Sequence, residues 1–509
     1  MGKFQSGLRG MPLAALALAC HSALAADINP ALAAQAQHDG VVEALIILPD
    51  QATPMLAPLD ANADYKTHRR ALVDTLRARA STQQADLHAW LDARRVEYRA
   101  YWIANMVWAR LSAADLAALA QRDNVARVES NPRIAAQLPQ TTPAMAPVPD
   151  AIEAIGPGIS KIRAPDVWAA GFTGQGVVIA GQDTGYQWDH PALKPHYRGW
   201  SGTTASHDYN WHDSIHDSTG NSCGNDAAAP CDDHGHGTHT AGTFAGDDGA
   251  GNQIGVAPGA KWIGCRNMDA GTGTPARYIE CMQWLLAPTD HSGQNPNPAL
   301  APDIVSNSWG CPTAAPPAGE GCTPADILKQ AVDNLVAGGI FFAAAAANDG
   351  PSCSTITAPP AIYDASFVVG ATDNSDRIAG FSSRGPVSGV TKIRPDASAP
   401  GVSIRSSIPG NSYGSMSGTS MATPHVAGAA ALLMSVNPAL KGHPDQVAAL
   451  LRNTAVTAGV TDPSNTGCGG LTMANWPNYQ AGAGRIDAYA AAIMADTILK
   501  DGFDAAKGP

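Results

Sequence analysis

Charged side chains are scarce in this chain. They make up 15% of its 509 residues, and acid exceeds base, because 44 Asp and Glu face 32 Lys and Arg for a net charge of −12. A chain without excess positive charge lacks the attraction that draws proteins to phosphate backbones, so nucleic acid is not an expected partner. Hydrophobic residues make up 45% of the chain, which is enough for a large core. Its 509 residues are enough for more than one domain.

Long apolar runs are missing as well. The run 11–19 is too short to span a bilayer, and no other stretch approaches that length, so we expect no membrane span. Lys3 and Arg9 precede this run and Ala23-Leu24-Ala25 follows it, a pattern typical of a secretory signal cleaved after Ala25. We therefore expect a secreted protein that loses residues 1–25. Cys20 raises the alternative of a lipid anchor, although the three residues before it match a lipobox poorly.

Cysteine is infrequent, with nine residues, of which Cys20 would leave with the signal. An even number then remains, which in an exported chain predicts disulfides. The remaining cysteines are Cys223, Cys231, Cys265, Cys281, Cys311, Cys322, Cys353 and Cys468. Spacing favours the local pairs Cys223 with Cys231 and Cys311 with Cys322, each worth about 2–4 kcal/mol. The connectivity stays open, and buried free thiols are an alternative for Cys265 and Cys281.

The residues after the signal predict two units joined by a linker. Residues 26–137 form a small α+β module, with strands at 41–48, 96–111 and 125–129, a helix at 66–93 and a short helix capped at Ser112. Residues 138–150 are rich in Pro and Thr, without periodicity, and predict an exposed linker open to cleavage. The second unit spans 151–495 and is followed by a tail, 496–509.

The second unit alternates short apolar strands with helices. Strands are predicted at 177–181, 261–268, 303–309, 339–347 and 366–371. A helix is predicted from Thr323-Pro324 to Gly338-Gly339. Continuous apolar strands separated by helices indicate an α/β fold whose mostly parallel sheet is covered on both faces. Such sheets place their chemistry at the carboxyl ends of the strands.

The segment Gly418-Thr-Ser-Met-Ala-Thr-Pro-His-Val-Ala-Gly428 leads into the apolar run 427–434, which predicts a buried helix. Pro424 is expected in its first turn, where a missing amide costs nothing. Ser420 would then lie beside unpaired amides and the positive end of the helix dipole, a suitable place for a nucleophile and an oxyanion. The alternative is that Ser420 only caps the helix.

Two further segments carry candidate chemistry. Strand 177–181 runs into Gln182-Asp183-Thr184-Gly185, which puts Asp183 at the rim of the sheet. Asp-Thr-Gly also occurs in aspartic proteases, but these need a second such element, and none is present. Asn348 follows strand 339–347 and could donate its amide to a developing oxyanion, or simply form an Asn-Asp-Gly turn.

The segment from Asp233 to Gly242 places His236 at the start of a Gly- and Ala-rich helix. One alternative is a zinc site, although the spacing matches no known zinc motif; its ligands would come from Cys231, His234, His236 and His239. Another is that the histidines are packed polar residues, an interpretation that suits His239 and His425.

Asp183, His236 and Ser420 follow one of the chain orders known for the Asp-His-Ser triad. The surrounding strings are Gln182-Asp-Thr-Gly185, His236-Gly-Thr-His-Thr-Ala-Gly-Thr243, Gly255-Val-Ala-Pro-Gly-Ala260, Ser306-Asn-Ser-Trp-Gly310, Ala346-Ala-Asn348, Phe381-Ser-Ser-Arg-Gly-Pro386, Ala399-Pro-Gly-Val402 and Gly418 to Gly428. They cover about residues 155–490, and with them the sequence resembles the subtilisin-like serine proteases (subtilases). Three further strings look most like the bacillopeptidase F group: Trp188-Asp-His-Pro-Ala-Leu193, Val256-Ala-Pro-Gly-Ala-Lys-Trp262 and Trp284-Leu-Leu-Ala-Pro288.

The resemblance implies a three-layer subtilisin-like fold preceded by an inhibitory, folding-assisting propeptide, residues 26–137. It implies that Ser420 is the nucleophile, His236 the base and Asp183 its orienting acid, with Asn348 and the Ser420 amide as the oxyanion hole. Ser308, Trp309 and Gly310 would pair with the substrate backbone. Small residues would line a primary pocket for large apolar or aromatic side chains: Ala345, Ala346, Ala347 and Ala358.

The chain also departs from the family pattern. Ala347 stands where relatives have Gly, so its methyl group is expected to narrow the pocket. Ala192 stands where many subtilisins have a calcium-ligating Asp, and residues 246–254 differ from the usual calcium loop. We therefore expect no required metal or cofactor and no calcium at that site, although Asp247 or Asp248 could serve another structural calcium.

These features together predict a monomeric, secreted serine endopeptidase made as a zymogen. Its partners would be protein or peptide substrates and its own propeptide, which would block the cleft as an intramolecular inhibitor until the linker is cut. Two alternatives belong to other classes. A binding protein built on a dead protease fold would need a broken triad, and a zinc hydrolase would need His234, His236 and His239 as ligands.

Overall fold

The computed structural model describes Gly2 and residues 26–51, 64–139, 155–218, 220–315, 319–465 and 467–505. The predicted signal peptide with Cys20 and most of the predicted linker lie outside the described residues. No helix within the described part is long and apolar enough to cross a membrane.

The N-terminal module, residues 26–139, is an α+β unit. Its elements are β1 (Asp27–Ile28), α1 (Pro30–Asp39), β2 (Val41–Ile47), α2 (Tyr65–Arg94), β3 (Tyr98–Tyr101), β4 (Met106–Ser112), α3 (Ala113–Leu119), β5 (Arg127–Ser130) and β6 (Ile134–Ala135). Five of these strands form one sheet in the order β1-β5-β2-β4-β3. Ser112 and Asp115 form a capping box that starts α3, as the sequence predicted.

The predicted strand 96–111 is wrong in one respect, because it is a hairpin of β3 and β4. The chain reverses at residues 102–105, where Asn105 has φ of 45°, a left-handed conformation that Asn tolerates better than most residues. The amides of Trp102 and Ile103 donate to the side chain of Gln283 in the second unit, at 2.7 and 3.2 Å. A partner distant in sequence therefore stabilises the turn.

The second unit contains a seven-stranded sheet in which every described pairing is parallel. In the order of the sheet its strands are β17 (Ala397–Pro400), β16 (Phe367–Thr372), β15 (Phe341–Ala345), β12 (Ile304–Asn307), β7 (Val178–Asp183), β9 (Lys261–Arg266) and β8 (Trp211–Asp213). The remaining strands are short or form hairpins: β10 (Met268–Asp269), β11 (Thr272–Gly273), β13 (Ala314–Ala315), β14 (Gly319–Glu320), β18 (Ile404–Ile408) and β19 (Ser412–Met416). The expected α/β architecture is confirmed.

Helices cover both faces of this sheet. They are α4 (Pro157–Lys161), α5 (Ala164–Ala169), α6 (His236–Ala245), α7 (Pro275–Leu286), α8 (Lys329–Ala337), α9 (Thr419–Val436), α10 (Pro444–Asn453) and α11 (Ala488–Ala505), with single 3₁₀ turns at Lys194–His196, Pro298–Leu300 and Pro438–Leu440. Every residue of α9 is buried, which explains why its sequence is apolar all round. The predicted start of α8 at Thr323 is wrong: turns occupy residues 324–328, and the helix begins at Lys329.

Pro424 lies inside α9 and not in its first turn, because the helix already begins at Thr419. A proline at this position leaves the carbonyl of Ser420, four residues earlier, without its helical donor. The hydroxyl of Ser308 replaces that donor at 2.9 Å. The irregularity in α9 is thus compensated by a side chain from the end of β12.

Four disulfides lie within the described part of the second unit. They join Cys223 to Cys231, Cys265 to Cys281, Cys311 to Cys322 and Cys353 to Cys468. Both predicted local pairs are confirmed, and the alternative of free thiols at Cys265 and Cys281 is wrong.

Candidate active site

Five secondary-structure elements meet at the carboxyl edge of the central sheet. The neighbouring strands β15, β12 and β7 end there, and α6 and α9 pack against each other with their first turns beside those ends. Asp183 is the last residue of β7, Ser308 follows β12, and Asn348 lies shortly after β15. His236 opens α6 and Ser420 lies in the first turn of α9.

Asp183 and His236 form a buried pair. The Nδ1 atom of His236 lies 2.7 Å from Oδ1 of Asp183, and the two residues are 0% and 1% exposed. The same carboxylate oxygen accepts a hydrogen bond from the Thr184 amide at 2.7 Å, which fixes its orientation. The Nε2 atom of His236 is buried and has no hydrogen-bond partner among the described residues. The ring is therefore held on one side and unengaged on the other.

Ser420 is tied to the end of β12 by two reciprocal bonds. Its hydroxyl donates to the carbonyl of Ser308 at 2.7 Å, and the Ser308 hydroxyl donates to the carbonyl of Ser420 at 2.9 Å. Ser420 is 3% exposed. In this conformation its hydroxyl proton is directed to a backbone carbonyl and not to an imidazole.

Asn348 is oriented by the residue before Ser420. Its Oδ1 atom accepts from both the amide and the hydroxyl of Thr419, at 2.9 and 3.0 Å. This leaves the Nδ2 group on the opposite side of the amide, where it can donate. The Ser420 amide lies in the first turn of α9, so it has no helical acceptor and is a second donor.

A cavity of about 240 Å³ lies at this edge of the sheet. Its walls in the second unit are Ser308, Trp309, Gly310, Pro312, Ala345, Ala347, Asn348, Asp349, Thr357, Ala358, Thr419 and Ser420. Ala346 is separate from them: it is 0% exposed and packs in a small apolar cluster with Ile356 and Val368, because neighbouring residues of an extended chain point to opposite sides. Thr357 and Pro312 were missed, since no periodicity marks them.

One wall of this cavity is rigid. The Trp309 ring stacks on Tyr278 with 3.9 Å between centroids, and its Nε1 donates to the carbonyl of Gln182 at 2.7 Å. The Cys311 amide donates to the carbonyl of Pro359 at 2.7 Å, which joins the wall at 308–310 to the wall at 357–358. The segment is thus held before any ligand arrives.

The tail of the N-terminal module enters this cavity. β6 pairs antiparallel with β11, and the Ala136 amide donates to the carbonyl of Gly271 at 2.9 Å. Residues 136–138 line the cavity, and Pro139 lies against Gly418, two residues before Ser420. A segment of the chain itself therefore occupies the cleft, with a strand at 134–135 followed by a tight turn in which the Leu138 amide donates to the Ala136 carbonyl at 2.9 Å.

Asp232 is an important residue that sequence reasoning missed. Its carboxylate accepts from the Thr184 hydroxyl, from the amides of His234, Gly235 and Thr238, and from the Thr238 hydroxyl. It therefore joins the residue after Asp183 to the first turn of α6. An Asp just before a helix is a cap signal that could have revealed it.

The other histidines have structural contacts. Nε2 of His239 lies 2.9 Å from the carbonyl of Ile404, and Nδ1 of His425 lies 2.8 Å from the carbonyl of Met421. Burial lowers the pKa of His239 to about 3 and that of His425 to about 4. In the described part of the chain no three His, Cys, Asp or Glu residues form a group that could hold a metal, so the zinc alternative has no geometric support.

Polar groups around Ala192 and the 246–254 segment, where the resemblance places the calcium of subtilisins, are engaged in hydrogen bonds. Ala192 offers no carboxylate, and the carboxylate of Asp248 already accepts from the Ala250 amide, from Asn252 and from the Tyr413 hydroxyl. These hydrogen bonds lower the pKa of Asp248 to about 2. The carbonyl of Asp247 accepts from His196 at 2.9 Å. Hydrogen-bond donors from the loop, from His196 and from Tyr413 therefore already contact these oxygen atoms.

One family model and several known proteins match this chain. The family model described as the subtilase family matches residues 174–474. Bacillopeptidase F of Bacillus subtilis (strain 168) is 35% identical over 464 residues, which is 88% of this chain and 30% of that protein. Subtilisin E of the same organism is 36% identical over 283 residues, 55% of this chain and 61% of that protein. The subtilisin of Bacillus pumilus is 36% identical over 283 residues, 85% of its length.

Proposed function

The chain belongs to the subtilase family, and on this basis we propose that it is a secreted serine endopeptidase made as a zymogen. The observation that carries the proposal is the buried Asp183–His236 pair, whose ring leaves Nε2 unengaged at the edge of the sheet where the Ser420 hydroxyl also lies. A base held in one orientation beside a hydroxyl is the arrangement that activates a serine nucleophile.

The reaction begins when the Ser420 hydroxyl turns from the Ser308 carbonyl to Nε2 of His236. Its proton passes to that nitrogen as Oγ attacks the scissile carbonyl, and Asp183 stabilises the resulting imidazolium through Nδ1. The imidazolium then donates the proton to the leaving amine, which departs and leaves an acyl-enzyme. A water molecule then attacks the acyl carbonyl and gives a proton to His236, which returns that proton to Oγ of Ser420 as the acyl–oxygen bond breaks and the product carboxylic acid leaves.

Charge that develops on the carbonyl oxygen is met by two donors. These are Nδ2 of Asn348, which Thr419 orients through Oδ1, and the Ser420 amide at the start of α9. Both are fixed before the reaction, so they stabilise the transition state without reorganisation. The positive end of the α9 dipole acts in the same direction.

Substrates would bind as an extended strand along 308–310, as the tail of the module does along β11. The cavity beside Ser420, lined by Ala345, Ala347 and Ala358, supports a preference for large apolar or aromatic side chains before the scissile bond. The physiological substrates would be proteins or peptides.

Residues 26–137 would act as propeptide and intramolecular inhibitor. Support comes from the tail at 134–138, which occupies the cleft that a substrate would need. Maturation would cut the chain at or just beyond residue 138, close to Ser420. Four disulfides fit an oxidising compartment and hence export.

The test is the Ser420→Ala variant of the full chain. We expect it to remain uncut and to hydrolyse no peptide, while the wild-type chain cuts itself and is labelled at Ser420 by a phosphonyl reagent. Chelators should leave wild-type hydrolysis unchanged, which separates this function from a zinc hydrolase. Full hydrolysis by Ser420→Ala would overturn the proposal, and an intact wild-type chain without any hydrolysis would favour a binding protein.

A further inference from the structure

The segment between β8 and α6 carries a disulfide close to the catalytic base. Its described residues from 214 to 231 contain neither helix nor strand, and Cys223 pairs with Cys231, five positions before His236. We propose that this disulfide is a positioning element for His236, and that opening it lowers turnover without unfolding the domain. The proposal rests on the function proposed above for His236.

The first link between the disulfide and His236 runs through Cys231 and the next residue, Asp232. The carbonyl of Cys231 accepts from the Tyr186 amide at 3.1 Å, and Asp232 bridges to Gly185. The Asp232 carboxylate then spans from Thr184 to the first turn of α6. The distance between Asp183 and His236 therefore depends on where residues 231 and 232 are held.

The second link is a buried arginine beneath the loop. Arg266, 0% exposed, pairs with Asp213 at 3.0 Å and with Asp233 at 2.6 Å. It also donates to the carbonyl of Gly224 at 3.1 Å. One guanidinium thus contacts the start of the loop, the residue after Cys223 and a residue three positions before His236.

The disulfide joins these two links. Residues 223–227 are anchored by hydrogen bonds, such as those from the Asp226 amide to the Ile215 carbonyl and from the Ala227 amide to Asp213. Within the described chain no hydrogen bond reaches residues 228–230, so opening the disulfide would free this stretch and raise its conformational entropy. The cross-link therefore ties Cys231 to the anchored part of the loop and adds to the Arg266–Asp233 pair a second restraint on the position of Asp232.

This disulfide is also open to a reductant. Cys223 and Cys231 are both partly exposed, whereas each of the other three described pairs includes a cysteine at 1% exposure or less. Thiol exchange requires access to sulfur, so a small dithiol should react here, and at the partly exposed Cys353, before it reaches the two fully buried pairs. The dithiol is oxidised to its cyclic disulfide as the protein disulfide takes up two electrons and two protons to give two thiols.

The experiment compares two double variants in the full, self-processing chain. Cys223→Ala/Cys231→Ala is expected to lower kcat about 10- to 100-fold with KM unchanged, because a small displacement of the base acts on chemistry and not on binding. The matched control is Cys353→Ala/Cys468→Ala, which removes a disulfide from the loop after Asn348. Backbone bonds from Gly350 to Phe381 and from Ser383 to Ala347 still hold that loop, so kcat should stay unchanged while Tm falls.

A chemical arm covers the case in which the first variant does not fold. Wild-type enzyme is treated with low dithiol, and alkylation followed by mass spectrometry identifies the opened cysteines. Loss of kcat should track alkylation of Cys223 and Cys231, with unchanged circular dichroism and recovery on reoxidation. Loss that tracks another pair, or full kcat with this pair open, overturns the proposal. An oxidised wild-type enzyme without hydrolysis refutes the proposed function instead.

Discussion

The N-terminal module and the second unit are stabilised by different means. The module contains no cysteine between residues 26 and 139, and its ion pairs, such as Arg122 with Asp86, reach solvent and contribute little. The second unit holds four disulfides and buried pairs such as Arg384 with Asp462, whose side chains are both 0% exposed. Breaking one partner of such a pair costs about 3–5 kcal/mol. The difference fits the proposed function, in which the module is removed and the second unit remains.

The module compensates by sharing a core with its neighbour. Leu72, Val73 and Leu76 of α2 lie in one apolar cluster with Leu285 and Leu286 of α7. The module's own core is smaller and contains Leu87 and Leu91 of the same helix. Apolar burial against the second unit therefore replaces covalent links.

The largest expected effect concerns the second unit, to which all the proposed catalytic residues belong. Asn348→Ala removes the proposed side-chain oxyanion donor, and we expect kcat to fall about 100- to 1000-fold, with KM little changed. Steady-state kinetics on the mature enzyme measure this. Asn295→Ala, in an exposed loop outside the cavity, is the matched control and should retain kcat. Equal kcat in Asn348→Ala and wild type would remove Asn348 from the mechanism.

The next effect compares stabilisation in the two parts. Cys353→Ala/Cys468→Ala opens a disulfide across 115 positions and should lower the free energy of unfolding of the second unit by about 2–5 kcal/mol. Leu87→Ala should lower the stability of the module by about 2–5 kcal/mol and leave the mature enzyme unchanged. Denaturant unfolding before and after self-processing measures both. Loss of mature stability in Leu87→Ala would contradict the comparison.

Acid should act mainly on the second unit. Burial lowers the pKa of His239 to about 3 and that of His425 to about 4, below the ordinary 6.5. Between these values and pH 6.5 the unfolded chain therefore binds more protons than the folded chain. Stability is then intact above pH 6.5 and falls as the pH drops toward 4, by up to about 1.4 kcal/mol per pH unit for each histidine. Denaturant unfolding of the Ser420→Ala chain at several pH values measures the slope, and His425→Gln should reduce it. An unchanged slope would show that His425 is not responsible.

The smallest expected effect is that of a chelator. Because donors of the loop itself and Tyr413 occupy the Asp248 carboxylate, removing calcium should leave Tm of the mature enzyme unchanged. Tyr413→Phe should lower Tm slightly in the presence or absence of chelator. A fall in Tm with chelator that calcium reverses would show a structural calcium site.

Sequence reasoning reached the features that local chemistry determines. Strand ends, helix starts and short motifs were sufficient to place Asp183, His236, Asn348 and Ser420 at one edge of a parallel sheet. It failed where a partner distant in sequence decides the outcome. The turn at 102–105 depends on Gln283, and Pro424 inside α9 depends on Ser308.

The directions of the side chains at 345–347 also could not be predicted from the sequence. Ala345, Ala346 and Ala347 are identical in chemistry, and only the backbone conformation determines that the middle one faces away from the cavity. Ala347 has φ of 79°, which a non-Gly residue seldom adopts and which composition does not reveal.

The long helix α2 has a consequence for the fate of the module. Its 30 residues span about 45 Å, and its later turns pack in the module's own core through Leu87 and Leu91. Its earlier turns place Leu72, Val73 and Leu76 in a cluster that also contains Leu45 and Ile47 of β2 and Leu285 and Leu286 of α7. If the module is released as proposed, these three side chains would keep their neighbours on β2 and lose those on α7, so apolar surface that is now buried would face water. The released module would then be less stable than the same residues are within the whole chain.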